Sequence, residues 1–92
     1  MKTHYKVTAT PRKDLRPRFL DYMSKNHIPD MEKTGYFLSA QMTETERGVF
    51  EIVYVTKDRK TLDAYFENDA EVLRNDFIRH FPEGITITRE IV

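Results

Sequence analysis

The sequence contains no cysteine, no tryptophan, only three glycines and no net charge. Without cysteine, disulfides and metal sites built from thiolates are excluded. The fifteen basic and fifteen acidic residues argue against a nucleic-acid binder, because such proteins usually present a net basic surface to phosphate. No apolar run is long enough for a signal peptide or a membrane span. We therefore expect a cytoplasmic protein that does not interact with membranes.

The length of 92 residues predicts a single domain, residues 1–92. A chain of this size buries only about 60–65% of the surface that its unfolded form exposes, so a monomer would be marginally stable. Since no disulfide can add stability, we expect a second copy of the chain to do so. The predicted assembly is a homodimer.

Alternation of apolar and polar residues with a period of two predicts four strands. They cover residues 4–10, 36–43 and 49–56, and a last strand begins at Ile85. A tight turn at Gly48 joins the second strand to the third as a hairpin.

Two helices are predicted between these strands. Asp14 is expected to cap the first helix, and Pro29 is expected to break or kink it at the preceding residue. Asp58 is expected to cap the second helix. Asn68 with Glu71 resembles a capping box, which predicts that the second helix is broken and restarted there.

The order strand-helix-strand, repeated once, predicts an α+β fold. With right-handed crossovers, the compact solution is a four-stranded antiparallel sheet in the order 4-1-3-2, with both helices on one face. The helices would cover the face that bears the apolar residues Tyr5, Val7, Leu38, Ala40, Phe50, Ile52, Ile85 and Ile87.

The other face, here called the open face, is predicted to mix polar residues with Phe37 and the valines Val49, Val53 and Val55. A monomer seldom exposes such an apolar patch, so Phe37, Val53 and Val55 are predicted to form the dimer interface. The alternative is that these are ordinary surface valines of a strand. Two open faces packed together would enclose a partly polar cavity.

Three segments carry a resemblance to a known family: His27-Ile28-Pro29, Gly35 with Phe37-Leu38-Ser39-Ala40, and Leu73-Arg74 through Arg79-His80-Phe81-Pro82. The whole chain resembles the dimeric α/β-barrel group of ferredoxin-like folds, and within it an uncharacterised bacterial family of unknown function. This resemblance implies a ferredoxin-like fold and dimers but no reaction. The wider group includes cofactor-independent monooxygenases, haem-degrading enzymes and small isomerases.

Lys6, Gln41 and Glu51 are the candidate ligand-binding residues of the enclosed cavity, together with His27. Lys6 and Glu51 should be neighbours on the first and third strands. They could act there as an acid–base pair, or they could form a cross-strand ion pair that fixes the register.

His27 has two interpretations as well. It could be a proton carrier or haem ligand, or it could hydrogen-bond the last carbonyls of the first helix and complement its dipole. The three histidines have no spacing typical of metal ligands, so neither a metal nor another cofactor is predicted.

The segment after Arg47-Gly48 has the strand order of an RNA-recognition motif but places Val49 and Glu51 where that motif stacks aromatic residues, so nucleic acid is not an expected partner.

The leading functional hypothesis is a small homodimeric module that binds a small molecule or a protein without catalysis. The alternative is a cofactor-independent monooxygenase-like, isomerase-like or haem-handling enzyme. Whether the protein is an enzyme stays open.

Overall fold

A computed structural model describes the whole chain, Met1–Val92. Its four strands are β1 (Thr3–Pro11), β2 (Ser39–Glu46), β3 (Val49–Thr56) and β4 (Ile85–Ile91). They form one antiparallel sheet in the order β2-β3-β1-β4, which is the predicted order 4-1-3-2 counted from the other edge. The helices are α1 (Arg16–Tyr22), α2 (Ile28–Lys33), α3 (Arg59–Asn68) and α4 (Ala70–His80).

The core lies between the helices and one face of the sheet, as the alternation predicts. In the register of β1 against β3, Tyr5 faces Tyr54 and Ala9 faces Phe50, and all four side chains are buried. The ring of Phe19 from α1 lies 5.6 Å from that of Phe50. Tyr65 of α3 contacts the same face, with its ring centroid 6.4 Å from that of Tyr5. The α+β ferredoxin-like fold is therefore confirmed.

The placement of Phe37 on the open face is wrong. Its ring lies on the helix side, 5.4 Å from the ring of Tyr54 and 4.9 Å from that of Tyr65. Leu38, expected in the core, is 60% exposed instead. The reason is that β2 begins only at Ser39, so strict alternation does not hold for the two residues before it.

The first helical segment does not end at Pro29. A short 3₁₀ turn (Lys13–Leu15) leads into α1, and a π-helical turn (Met23–His27) joins α1 to α2. The N–H of Ile28 donates to the carbonyl of Met23, five residues back. Pro29 then stands in the first turn of α2, where a missing N–H has no cost. The helix is thus distorted before the proline, in agreement with the predicted kink, but it is not broken and continues to Lys33.

The expected helix caps have mixed outcomes. Asp58 caps α3, because its Oδ1 accepts from the backbone N–H of Thr61 at 2.8 Å. Asp14 caps nothing and pairs with Arg12, whose Nε lies 2.6 Å from its Oδ1. The predicted interruption of the second helix occurs at Asp69, without the capping-box bond expected of Asn68.

No helix of the molecule combines the length and the apolar character that a membrane crossing requires.

Candidate functional site

The open face carries a small charged cluster at its centre. Lys6 on β1 faces Val53 on β3, and its Nζ lies 3.9 Å from a carboxylate oxygen of Glu51 and 3.5 Å from one of Glu90. The predicted proximity of Lys6 and Glu51 is therefore present. Both side chains are about 30% exposed, so this is a partly solvated ion pair of modest energy.

The four candidate ligand-binding residues do not lie together. Gln41 faces Val53 from β2 and shares the open face with Lys6 and Glu51. None of these three side chains lines a cavity of the single chain, whereas His27 lines a cavity on the helix side of the sheet. The grouping of His27 with the open face is wrong, because the π-helical turn that bears it packs over the opposite side.

A cleft of about 350 Å³ lies between α4 and the half of the sheet formed by β1 and β4. Small-molecule sites in proteins occupy about 300–1,000 Å³, so this volume suits a small ligand. The lining is mostly apolar, with polar groups at His27, Arg74, Glu83 and Arg89. The apolar lining consists of Tyr5, Val7, Tyr65, Phe77, Ile78, Phe81, Pro82, Ile85 and Ile87.

Two arginines stand at the edge of the cleft. Both are exposed, and neither Arg74 nor Arg89 forms a salt bridge with a carboxylate of the chain. The cleft continues into a neighbouring hollow of about 310 Å³, which both arginines and Tyr5 also line. The guanidinium of Arg74 lies 6.0 Å from the centre of the Phe66 ring. The site thus joins an apolar wall to two cations that have no carboxylate partner and can bind an anion.

His27 is largely buried among aromatic rings, with ring centroids 5.9 Å from Tyr22 and 5.8 Å from Phe77. Its imidazole makes no hydrogen bond to another residue, so the predicted bond to helix carbonyls is absent. Burial lowers the pKa of His27, although the carboxylates of Asp30 and Asp76 oppose that shift. His27 is therefore held as a neutral imidazole at neutral pH.

Protonation of His27 is expected to destabilise the fold. Since burial holds its pKa below the ordinary 6.5, the unfolded chain binds this proton more tightly than the folded chain does. The free energy of unfolding should therefore fall as the pH drops through about 6.5 toward the folded-state pKa, by at most about 1.4 kcal/mol per pH unit. Urea denaturation at pH 7.5 and pH 5.5 measures this difference.

His27→Gln should remove most of this pH dependence, whereas the control His4→Gln, at an exposed histidine of β1, should keep it. An equal loss of stability at pH 5.5 in wild type and His27→Gln would show that His27 is not the group responsible.

A hydrogen-bond network fixes α4 next to the π-helical turn. The hydroxyl of Tyr22 donates to Asp76 at 2.6 Å, and Arg79 donates to the other oxygen of that carboxylate at 2.6 Å. These two bonds hold the pKa of Asp76 below its usual range, while burial and Asp76 raise the pKa of Tyr22. The network holds Phe77, one residue along α4, against His27 in the cleft wall.

A wider depression of about 580 Å³ lies at the start of α3, near Lys57 and Lys60. Asp58 there accepts from both the N–H and the hydroxyl of Thr61, whereas Lys57 and Lys60 form no salt bridge. The cleft beside α4 is the stronger candidate, since eight of its thirteen lining residues are hydrophobic, against three of eight around the depression.

Solved structures of similar fold are known. A conserved protein of unknown function from Bacteroides thetaiotaomicron, described as a possible oxidoreductase, aligns with a TM-score of 0.75 and 16% identity over 99% of this chain and 95% of its own. An antibiotic biosynthesis monooxygenase aligns with a TM-score of 0.66 and 12% identity, over 96% and 95% of the two chains. A dimeric ferredoxin-like protein from an uncultured marine organism aligns with a TM-score of 0.66 and 18% identity, over 99% of this chain and 92% of its own.

These identities are low, so the alignments establish the fold alone. No curated protein matches the sequence significantly. A family model described as Domain of unknown function (DUF4286) matches residues 2–92. Because that match spans nearly the whole chain, the protein belongs to the DUF4286 family.

Proposed function

We propose that the protein is a homodimeric module that binds small amphipathic carboxylic acids, one in each protomer. The observation that carries this proposal is the cleft beside α4, in which an apolar wall and two unpaired arginines meet. The ligand class follows from the chemistry of the lining.

The body of the ligand should be a ring or a branched aliphatic group. Phe77, Phe81 and Tyr65 supply aromatic walls, and Ile85 and Ile87 of β4 supply the floor. An apolar group that packs against these side chains would leave water, which is favourable in proportion to the apolar area buried.

The head of the ligand should be a carboxylate. Arg89 and Arg74 lie at the edge of the cleft and can each offer a guanidinium fork to the two carboxylate oxygens. Hydrogen bonds between ionised partners are stronger than neutral ones, so the charge of the ligand should contribute to its affinity.

The dimer is proposed to form through the open face. Val53 and Val55 on β3 are half-buried there, and the lysine of the central charged cluster has carboxylates on both sides of it. A solved structure of similar fold is described as a dimeric ferredoxin-like protein. Because the cleft lies on the other side of the sheet, dimer formation would leave both ligand sites accessible.

Titration calorimetry with 3-phenylpropionate tests the ligand proposal, and 3-phenylpropionamide serves as the uncharged control ligand. We expect wild-type protein to bind the acid more tightly than the amide. Arg89→Gln should weaken binding of the acid by roughly tenfold and leave binding of the amide unchanged, because only the acid uses the guanidinium charge.

Arg47→Gln is the matched control variant, since Arg47 is also exposed and outside any salt bridge but lies on the β2–β3 turn, away from the cleft. It should bind the acid as wild type does. Equal affinity of wild type for the acid and the amide would contradict the proposal, as would equal weakening by both arginine substitutions.

The second candidate function is an enzyme of the dimeric α/β-barrel kind. One similar structure is described as a possible oxidoreductase and another as an antibiotic biosynthesis monooxygenase. The observation in this chain that favours catalysis is the imidazole of His27, which lines the cleft without a hydrogen-bond partner.

A further inference from the structure

We propose that His27 is a catalytic base that removes a proton from carbon next to the carbonyl of a 2-oxo acid bound in the cleft. This inference rests on the proposed function, since the same arginines would hold the carboxylate of the substrate. It adds a reaction, keto–enol tautomerisation, and narrows the ligand class to acids with an acidic C–H beside a ketone.

The imidazole of His27 is available to act as a base. Neither ring nitrogen has a hydrogen-bond partner in the protein. The only side-chain nitrogen or oxygen that is both closed off from solvent and unpartnered is Nε of Arg16. The nitrogens of His27 therefore still reach open space, and the residue lines the cleft.

Tyr5 can supply a hydrogen-bond donor for the carbonyl oxygen. Tyr5 of β1 lines both the cleft and the neighbouring hollow, and its side chain is otherwise buried against Tyr54, Tyr65 and Phe66. Its hydroxyl also has no partner in the protein and is not closed off from solvent. A donor at this position can stabilise the negative charge that forms on the oxygen of an enolate.

The surroundings of His27 determine the protonation state of the base. The charged and titratable groups around His27 are Tyr22 on α1, Asp30 on α2, Asp76 on α4 and Arg89 on β4. The carboxylates favour the imidazolium, and Arg89 and burial disfavour it. Burial has the largest effect, so the pKa of His27 is lowered and the ring is a free base at neutral pH.

The reaction is balanced without any co-reactant. The imidazole nitrogen takes the proton from the carbon, and the electrons of that C–H bond form the carbon–carbon double bond of the enolate. The carbonyl electron pair moves to oxygen, which accepts a hydrogen bond from the Tyr5 hydroxyl and takes a proton from water. The imidazolium returns its proton to water, so ketone and enol differ only in the place of one proton.

Phenylpyruvate is a suitable probe, because it joins a ring, an acidic CH₂, a ketone and a carboxylate. Proton NMR in D₂O follows the exchange of its CH₂ protons for deuterium. Wild-type protein should accelerate this exchange over buffer, and His27→Gln should slow the catalysed exchange by roughly 10²-fold. Tyr5→Phe should also slow it by roughly 10²-fold, because one oxyanion donor is lost.

Binding of 3-phenylpropionate is measured on the same samples, and the exchange rates are compared at saturating phenylpyruvate, because both residues line the cleft. His4→Gln is the matched control and should exchange at the wild-type rate. The rate of the wild type should also fall as the pH drops below the pKa of His27. If wild type binds 3-phenylpropionate but exchanges phenylpyruvate no faster than His27→Gln, the catalytic role is wrong and the binding function stands. If it binds neither acid, both proposals are wrong.

Discussion

Val53→Lys is expected to convert the protein from a dimer into a folded monomer. Val53 lies at the centre of the open face, between Gln41 of β2 and Lys6 of β1. A lysine there would place a second ammonium next to Lys6 and bury an unpaired charge when two open faces meet. The dissociation constant of the dimer should rise by at least roughly a hundredfold.

Light scattering coupled to gel filtration measures the result as a change from twice the chain mass of 11.0 kDa to a single chain mass. Val72→Lys is the matched control, because Val72 is 71% exposed on α4, away from the open face. It should stay dimeric. A Val53→Lys protein that keeps the wild-type mass would contradict the proposed interface, and a wild type that is monomeric would contradict the dimer itself.

The sheet itself could be predicted from the sequence because its signals are local and agree with one another. In β3 every second side chain is buried, from Phe50 to Thr56, and the turn at Gly48 pairs this strand with β2. The register is constant from Ser39 to Glu44 and shifts by one residue before Glu46. Once two strand-helix-strand units are recognised, the right-handed crossover leaves one compact strand order.

The errors lie where an element ends or changes its geometry. Phe37 was predicted to follow the alternation of β2, but regular strand geometry begins only at Ser39 and the ring of Phe37 lies against Tyr65. Pro29 was predicted to break or kink the helix; the helix is distorted by the π-helical turn before the proline but is not broken. Both features depend on tertiary packing, which local alternation does not encode.

The cleft could not be predicted as a cavity, yet the sequence contains a signal for it. Arg89 shares the phase of Ile87 and Ile91 in β4 and faces Val7 across the ladder, so a charged residue occupies a strand position that normally turns to the core. Arg74 similarly lies one helical turn from Ala70 and Phe77 in the stripe of α4 that faces the sheet. A charged residue in the apolar face of β4 and another in the apolar face of α4 together indicate a place where the core is accessible to solvent.

Phe19→Ala is expected to lower the free energy of unfolding by about 3–5 kcal/mol. Phe19 is completely buried, and its ring contacts Phe50 of β3 as well as Phe77 and Phe81 at the far side of the core. Removal of the ring leaves a cavity that these three rigid aromatic side chains cannot fill. Urea denaturation at one fixed protein concentration measures the loss, since dimer formation would otherwise make the stability depend on concentration.

Leu38→Ala is the matched control, because Leu38 is 60% exposed and its truncation should change the stability by less than about 0.5 kcal/mol.

Since Phe77 and Phe81 also line the cleft, Phe19→Ala should weaken binding of 3-phenylpropionate even under conditions where the variant is still folded. A loss of less than 1 kcal/mol in stability, with unchanged binding, would show that the aromatic cluster does not support the cleft wall. We expect Phe19→Ala to lower both the stability and the affinity for 3-phenylpropionate, because the same rings form the core on one side and the ligand site on the other.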